Sequence, residues 1–384
     1  MESYFWVEED EKKVHVAFAP YRICPLGAHV DHQKGMVTGF AIDKGVTLRF
    51  VIRKDSRVCV RSGDFSGIEE FDLHSIFPKQ GTWGDYARAA ASSLENLEHG
   101  FDGVIEGSLP IGGLSSSAAV LLCYLMALCF ANGIKLDENQ MIEKSHIAEN
   151  VYIGLNNGIL DQSCITLCKK NQLLCLDTKT MEWRNIPMNP SMAPIRIMVV
   201  YSGLSRNLGK GYNMRVDEVK SAAYALKAYS GMEYGLLVDT FLRDVPFSVF
   251  QKVKDRLPEN FRKRAVHFYL ENERVRDGII AWQEGDIDRL GSLISESGDS
   301  SIDNWETGCL ELKFICQEMK KIDGIHGGRF SGAGFKGCCF ALVDSSLEHE
   351  IEDELTRRYL KKFPQYEGTF GVYFCDTSDG ATVI

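Results

Sequence analysis

The chain has 384 residues, more than one hydrophobic core usually serves, and this length predicts two domains. Hydrophobic residues at 45% and charged residues at 25% exclude the disordered and fibrous classes. With 43 Lys and Arg against 53 Asp and Glu the net charge is −10, a field that repels phosphate backbones. Nucleic acid is therefore not an expected partner, and an anionic substrate must be drawn by a local positive site.

The opening MESYFWVEED has neither a basic n-region nor an apolar h-region, so it does not read as a secretory signal. Val14–Phe18, Gly45–Arg53 and Arg57–Arg61 are β-rich, the last two split by a polar pair around Asp55. Helix is predicted over Trp83–Leu97, then a short strand over Phe101–Glu106. A buried helix follows over Ser115–Ala131. Its apolar run, Ala118–Ala131, falls short of the roughly 20 residues of a membrane span, so no membrane association is expected. Asp137 with Gln140 three residues on is a capping-box start for a helix to about Tyr152.

Ile195–Tyr201 reads as a near-continuous apolar strand after the turn-rich Asn189–Pro194, which places the domain boundary between 193 and 194. Helices are predicted over 211–230, 247–254, 261–284 and 305–320. A glycine-dense loop over 327–337 then feeds a strand at Cys338–Asp344, followed by a polar helix over 347–361 and a strand at Gly371–Cys375. Grouped strands of this kind indicate an α+β fold. None of the twelve cysteines forms the CxxC pairs of a zinc site. Cys164 and Cys168 stand one helical turn apart, and Cys338 and Cys339 would point to opposite faces of a strand. Buried thiols in a cytoplasmic protein are the expectation.

Three stretches carry chemistry. In LPIGGLSSSAAV, Gly112 and Gly113 can bend the backbone tightly before Leu114, Ser115, Ser116 and Ser117 open a helix. First-turn N–H groups lack internal partners and sit at the positive end of the dipole, which suits a phosphate. A cap serving only the helix is the alternative. The spacing is not that of a Walker A loop, for no Gly-Lys-Ser/Thr follows. Gly332, Gly334 and Gly337 spell GxGxxG, but they precede a strand rather than following one, so close backbone approach to a ligand or another loop is the better reading.

PYRICPLGAHVDHQKG gathers Arg22, His29, Asp31, His32 and Lys34 in a turn-rich stretch suited to holding sugar hydroxyls. A metal site built on HxDH and an ordinary surface loop are its alternatives. In NNGILDQ, Asp161 is either a helix cap or a base kept ionised by a cation such as Arg22. Glu149 is either a solvated helix residue or a carboxylate for Mg²⁺, a cation that takes few protein ligands and shares substrate phosphates.

PYRICPLGAHVDHQKG, LPIGGLSSSAAV and GGRFSGAGFKGCCFALV resemble the three signature motifs of the GHMP sugar and metabolite kinases, spread from about residue 16 to 344; GILDQ resembles the galactokinase branch. The resemblance implies a two-lobed α+β kinase, with an N-terminal lobe like ribosomal protein S5 domain 2 and a ferredoxin-like C-terminal lobe. It would transfer the γ-phosphate of ATP, with Mg²⁺, to the anomeric hydroxyl of a sugar, working as a monomer or weak homodimer. It makes Asp161 the base, Arg22 its steadying cation, and His29, Asp31, Gly158 and Tyr212 sugar neighbours. Gly112 to Ser117, with Gly332 and Gly334, become the phosphate-binding residues, and Ser117 and Glu149 the Mg²⁺ pair.

One departure is informative. Galactokinases usually carry Gly-Glu-His-Thr-Asp where this chain has Gly27-Ala28-His29-Val30-Asp31. A glutamate there holds the C6 hydroxyl; against a C6 carboxylate it would set two negative charges about 3 Å apart, at a cost of several kcal/mol. With alanine, a C6 hydroxyl loses a charge-assisted hydrogen bond of about 1.5–3 kcal/mol. The sign favours a uronic acid, and the flanking motifs resemble the plant galacturonokinases. Arg215, Lys34, Arg206 and Lys210 are candidate cations for its carboxylate. Two competing expectations are a galactokinase that tolerates Ala28 and a non-catalytic sugar and ATP sensor.

Overall fold

The computed structural model of the protein describes residues 13–110, 112–155, 157–192, 194–204 and 211–384. The acidic opening decamer, Arg206 and Lys210 lie outside the described residues.

The first sheet is built from β1 (His15–Ile23), β2 (Met36–Ile52), β3 (Arg57–Ser62) and β4 (Ile68–Asp72), followed by the short helix α1 (Asp85–Ser92) and β5 (Phe101–Gly107). The buried helix α2 (Ser116–Ala131) lies against β1 and β2, apolar on all sides because the sheet and neighbouring helices enclose it. Next come α3 (Glu138–Ile147), α4 (Leu160–Leu167), β6 (Gln172–Asp177) and β7 (Glu182–Pro187). The predicted capping box is present: the Gln140 N–H donates to Asp137 at 2.8 Å and the Asp137 N–H to the Gln140 side chain at 3.0 Å. The helix does not continue regularly to Tyr152. It widens into a π-helical turn over Ala148–Ile153 and stops at left-handed Gly154.

The second half comprises β8 (Ile195–Tyr201), α5 (Tyr212–Ser230), α6 (Phe247–Val253), α7 (Glu259–Glu284), α8 (Ile287–Asp303), α9 (Leu310–Met319), β9 (Ile325–Phe330), β10 (Cys338–Asp344), α10 (Glu348–Lys362) and β11 (Gly371–Cys375). Its antiparallel sheet has the order β11-β8-β10-β9, the fourth-first-third-second arrangement of a ferredoxin-like unit. Two short strands, β12 (Thr377–Ser378) and β13 (Thr382–Val383), then return to the first sheet and pair with β2 and β1. The segments before and after residue 193 therefore share a sheet and a core. One continuous core joins Leu48, Phe50 and Leu122 of the first half to Val199, Trp282 and Phe340 of the second.

Two elements depart from expectation for one reason. The segment from 327, read as loop, starts inside β9, and α8 was not foreseen at all. A Cβ on Gly291 of α8 would lie 2.0 Å from the His326 carbonyl, and one on Gly327 would lie 1.9 Å from the Gly291 carbonyl. Glycines that read as loop-formers instead let helix and strand backbones touch. The helix expected from 305 begins at Leu310, because Trp305 is fully buried before it.

All twelve cysteines are free thiols, ten of them buried. Cys338 and Cys339 enter different cores on the two faces of β10, as their adjacency predicts. Among the described residues no helix is long and apolar enough to cross a membrane.

Candidate active site

A cavity of about 440 Å³ opens where the end of β1, the start of α4, the start of α5 and the β9–β10 loop converge. This is within the range of small-molecule sites. Arg22, just past a register shift in β1, is 4% exposed and clamps Asp161 in the first turn of α4. Its Nε and Nη2 reach Asp161 Oδ1 at 2.9 and 2.7 Å. Its Nη1 donates to the Gly113 carbonyl and to Ser331 Oγ, both at 3.3 Å, tying the pair to both loops. Burial works against the guanidinium charge, but the Asp161 carboxylate more than offsets it and holds the Arg22 pKa above its ordinary value. Among the described residues, the side-chain partners of Asp161 all meet its Oδ1.

On the opposite wall, Gly27 takes φ +97° and His29 φ +62°, a sharp turn that packs Ala28, His29 and Asp31 side by side. Asp31 accepts the Leu160 N–H at 3.1 Å, and burial raises its pKa. Gly158 is required there, for a Cβ would lie 2.2 Å from Asp31 Oδ2. The His29 ring stacks on Trp305 at 5.2 Å with planes 4° apart, while its Nε2 is buried and has no partner among the described residues. Burial, then the Arg329 charge, keeps His29 neutral. Tyr212 opens α5 with its ring 6.3 Å from that of His29. His32 is not in the cavity wall, and among the described residues no three His, Cys, Asp or Glu side chains could hold a metal together.

The two glycine-rich loops lie back to back. A Cβ on Gly337 would fall 2.6 Å from the Gly112 carbonyl carbon, and one on Gly332 would fall 3.2 Å from Gly113 Cα. The contact expected of the misplaced GxGxxG is therefore made, loop on loop. Gly337, at φ +96°, is further pinned by Ser202, whose N–H and Oγ donate to its carbonyl at 3.0 and 2.8 Å. Gly337→Ala is expected to raise the KM for ATP about tenfold or more, because a methyl at positive φ must push the loops apart; ATP titration of the variant measures it.

Gly113, Ser117, Gly332 and Gly334 line the cavity directly. Gly112 faces Gly337, and the Leu114 side chain points into the core, so only its backbone belongs to the loop. Ser115, at φ +59°, has a buried hydroxyl with no partner among the described residues, and Ser116 opens α2. The first turn of α2 holds no acidic residue and no side-chain cap, so its N–H groups and dipole are available to an anion.

Glu149 projects from the π-helical turn and is 1% exposed. Ser117 Oγ donates to its Oε1 at 3.1 Å; Asn157 and Gln162 donate to its Oε2 at 2.8 and 2.5 Å. Burial, reinforced by the Asp161 charge, raises its pKa. Two hard oxygen donors side by side next to an anion seat fit Mg²⁺.

Sequence reasoning missed Arg329, a fully buried cation in the cavity wall; of its four candidate cations, two lie among the described residues. Arg215 donates to the Trp305 and Glu306 carbonyls and Lys34 lies over the Phe241 ring; neither lines the cavity. The arginine was masked by the glycines around it, although a lone charge inside an otherwise apolar and glycine segment was a usable signal.

A helix start with free N–H groups, a buried Arg–Asp pair beside it and a cavity of this size suit a small-molecule kinase. The model for the GHMP kinase N-terminal domain matches residues 85–169, and that for the C-terminal domain residues 279–362. A galacturonokinase of Arabidopsis thaliana is 38% identical, covering 98% of this chain and 95% of its own. A galactokinase of Staphylococcus carnosus is 31% identical over 96% of this chain and 94% of its own. The crystal structure of Lactococcus lactis galactokinase complexed with galactose superposes with a TM-score of 0.89 at 28% identity, covering 97% and 96% of the two chains. The chain belongs to the galactokinase branch of the GHMP kinases, ATP-dependent phosphotransferases that act on an alcohol group.

Proposed function

We propose that this kinase phosphorylates D-galacturonate at the anomeric hydroxyl, giving galacturonate 1-phosphate and ADP. The observation that carries the reading is Ala28, a methyl in the cavity wall where a longer acidic side chain would meet a C6 carboxylate. In the transfer, the bond from the sugar O1 to the γ-phosphorus forms as the bond to the β,γ-bridging oxygen breaks, and the O1 proton ends on Asp161. Arg22 keeps Asp161 ionised and presents positive charge to the transferring group, so positioning and charge neutralisation carry the chemistry. His29, Asp31 and Tyr212 orient the sugar, and the Gly112–Ser117 loop with Gly332 and Gly334 holds the phosphates.

Ser117 and Glu149 would hold Mg²⁺, which shields phosphate charge when bound. Glu149→Gln is expected to raise the Mg²⁺ concentration for half-maximal rate at least tenfold, and a Mg²⁺ titration checks it. The enzyme works on small molecules in the cytoplasm, as a monomer or weak homodimer, without nucleic acid or membrane.

The test is parallel turnover of galacturonate and galactose. Galactose is the competing acceptor, favoured by the similarity to galactokinases; a galactose preference above tenfold would overturn the uronate reading.

A further inference from the structure

Beneath the Gly27–Ala28 turn lies a buried charge cluster that the transfer chemistry leaves unused. Glu271 of α7 is fully buried. Its Oε1 accepts the Gly27 N–H at 2.8 Å, the Ala28 N–H at 3.3 Å and the Ser297 hydroxyl at 2.6 Å. Its Oε2 pairs with Arg274, at 2.8 Å from Nε and 2.7 Å from Nη2. Arg329 of β9 stands further off, with Nη1 3.8 Å from Oε1. The cluster therefore holds one carboxylate against two guanidiniums.

The remaining partners of Arg329 are all neutral: the Ser297 and Ser301 hydroxyls and the Phe330 carbonyl. Among the described residues, Glu271 is the one carboxylate within 4.0 Å of it. Arg329 is 1% exposed, yet it lines the cavity on the same wall as Ala28 and His29. A buried charge without a counter-charge is costly unless a ligand supplies one. The other cations lining the cavity are Arg22 and Lys336. Arg22 is paired with Asp161, and Lys336 stands on the loop that abuts Gly112 and Gly113. His29, which also lines the cavity, has a buried Nε2 with no partner among the described residues.

We propose that Arg329, with His29 Nε2 beside it, reads the carboxylate of the sugar acid, so that the acceptor's own charge balances the cluster. The inference rests on galacturonate as the acceptor and names the cation that selects it. The small side chain of Ala28 admits the carboxylate, and Arg329 supplies the attraction.

Steady-state kinetics of the full chain at saturating ATP and Mg²⁺ test it, with galacturonate, its C6 methyl ester and galactose as acceptors. The ester keeps the shape and loses the charge. Its kcat/KM in the wild type is expected to be about 10- to 100-fold below that of the acid. Arg329→Gln should shift the galacturonate-to-galactose selectivity ratio about 30-fold toward galactose, chiefly through the KM for galacturonate, and Arg329→Lys should restore part of it. Equal losses for both sugars in Arg329→Gln, or an ester turned over as well as the acid, overturn the proposal. The ester comparison needs no variant, so it decides even if Arg329→Gln does not fold. A wild type that prefers galactose brings down the acceptor reading and this inference together. A wild type that prefers galacturonate, with a preference that survives Arg329→Gln, brings down this inference alone.

Discussion

Asp161→Asn is expected to lower kcat about 10²- to 10⁴-fold while leaving the KM for ATP nearly unchanged. Asparagine keeps the size of the side chain but cannot take the proton of the attacking hydroxyl, and a positioned base is generally worth about that factor. The charge matters twice over, because Arg22 is buried against this carboxylate at 2.7 Å. A neutral amide leaves the guanidinium without its counter-charge, so a loss of about 1–3 kcal/mol in stability should accompany the loss of rate. Rapid-quench or steady-state kinetics at a temperature well below the variant's Tm separates the two effects. A variant that kept more than a tenth of the wild-type kcat would remove Asp161 from the role of proton acceptor.

Ala28→Glu should cost galacturonate more than 100-fold in kcat/KM and improve galactose relative to it. The backbone of this turn is fixed, since Glu271 takes the N–H groups of both Gly27 and Ala28, so a longer side chain at position 28 cannot swing the turn away from the cavity. Its carboxylate would meet the acceptor's in a site of low dielectric, where repulsion between two like charges amounts to several kcal/mol. It would also compete with the acceptor for Arg329. Galactose, with a hydroxyl at C6, would gain an acceptor for its hydrogen bond. Parallel assays of the two sugars give the selectivity ratio directly; no change would show that Ala28 does not choose the substrate.

The parts of this molecule legible in the sequence were those where local chemistry and tertiary role agree. Ile195–Tyr201, Cys338–Asp344 and Gly371–Cys375 are apolar or β-rich runs between polar or glycine-containing segments, and each is a strand of the C-terminal sheet with the bounds expected. Arg22 pairs with Asp161 as their residue types suggested, and the glycine-serine run opens α2 where a helix start was expected. What stayed hidden was set by contacts distant in sequence. Ile287–Asp303, rich in Ser, Gly and Asp, received no element in the sequence reading, yet its small residues are what allow α8 to lie flush on β9. The charge balance around Glu271 draws on residues 27, 271, 274 and 329, and only folding brings them together. The π-helical turn that aims Glu149 at Ser117 likewise has no signature in the regular helical spacing before it.

The return of β12 and β13 to the first sheet bears on how the enzyme can breathe. Val16 and Ile384 exchange two backbone hydrogen bonds, at 2.8 and 2.9 Å, and the Asp43 N–H donates to the Asp376 carbonyl at 2.9 Å. The last residues of the C-terminal half are thus stitched to the first sheet at Asp376 and at Ile384, and a wide clamshell swing would have to break these bonds and part a shared hydrophobic interior. Movements confined to the loops at the cavity rim would leave these bonds and that interior intact.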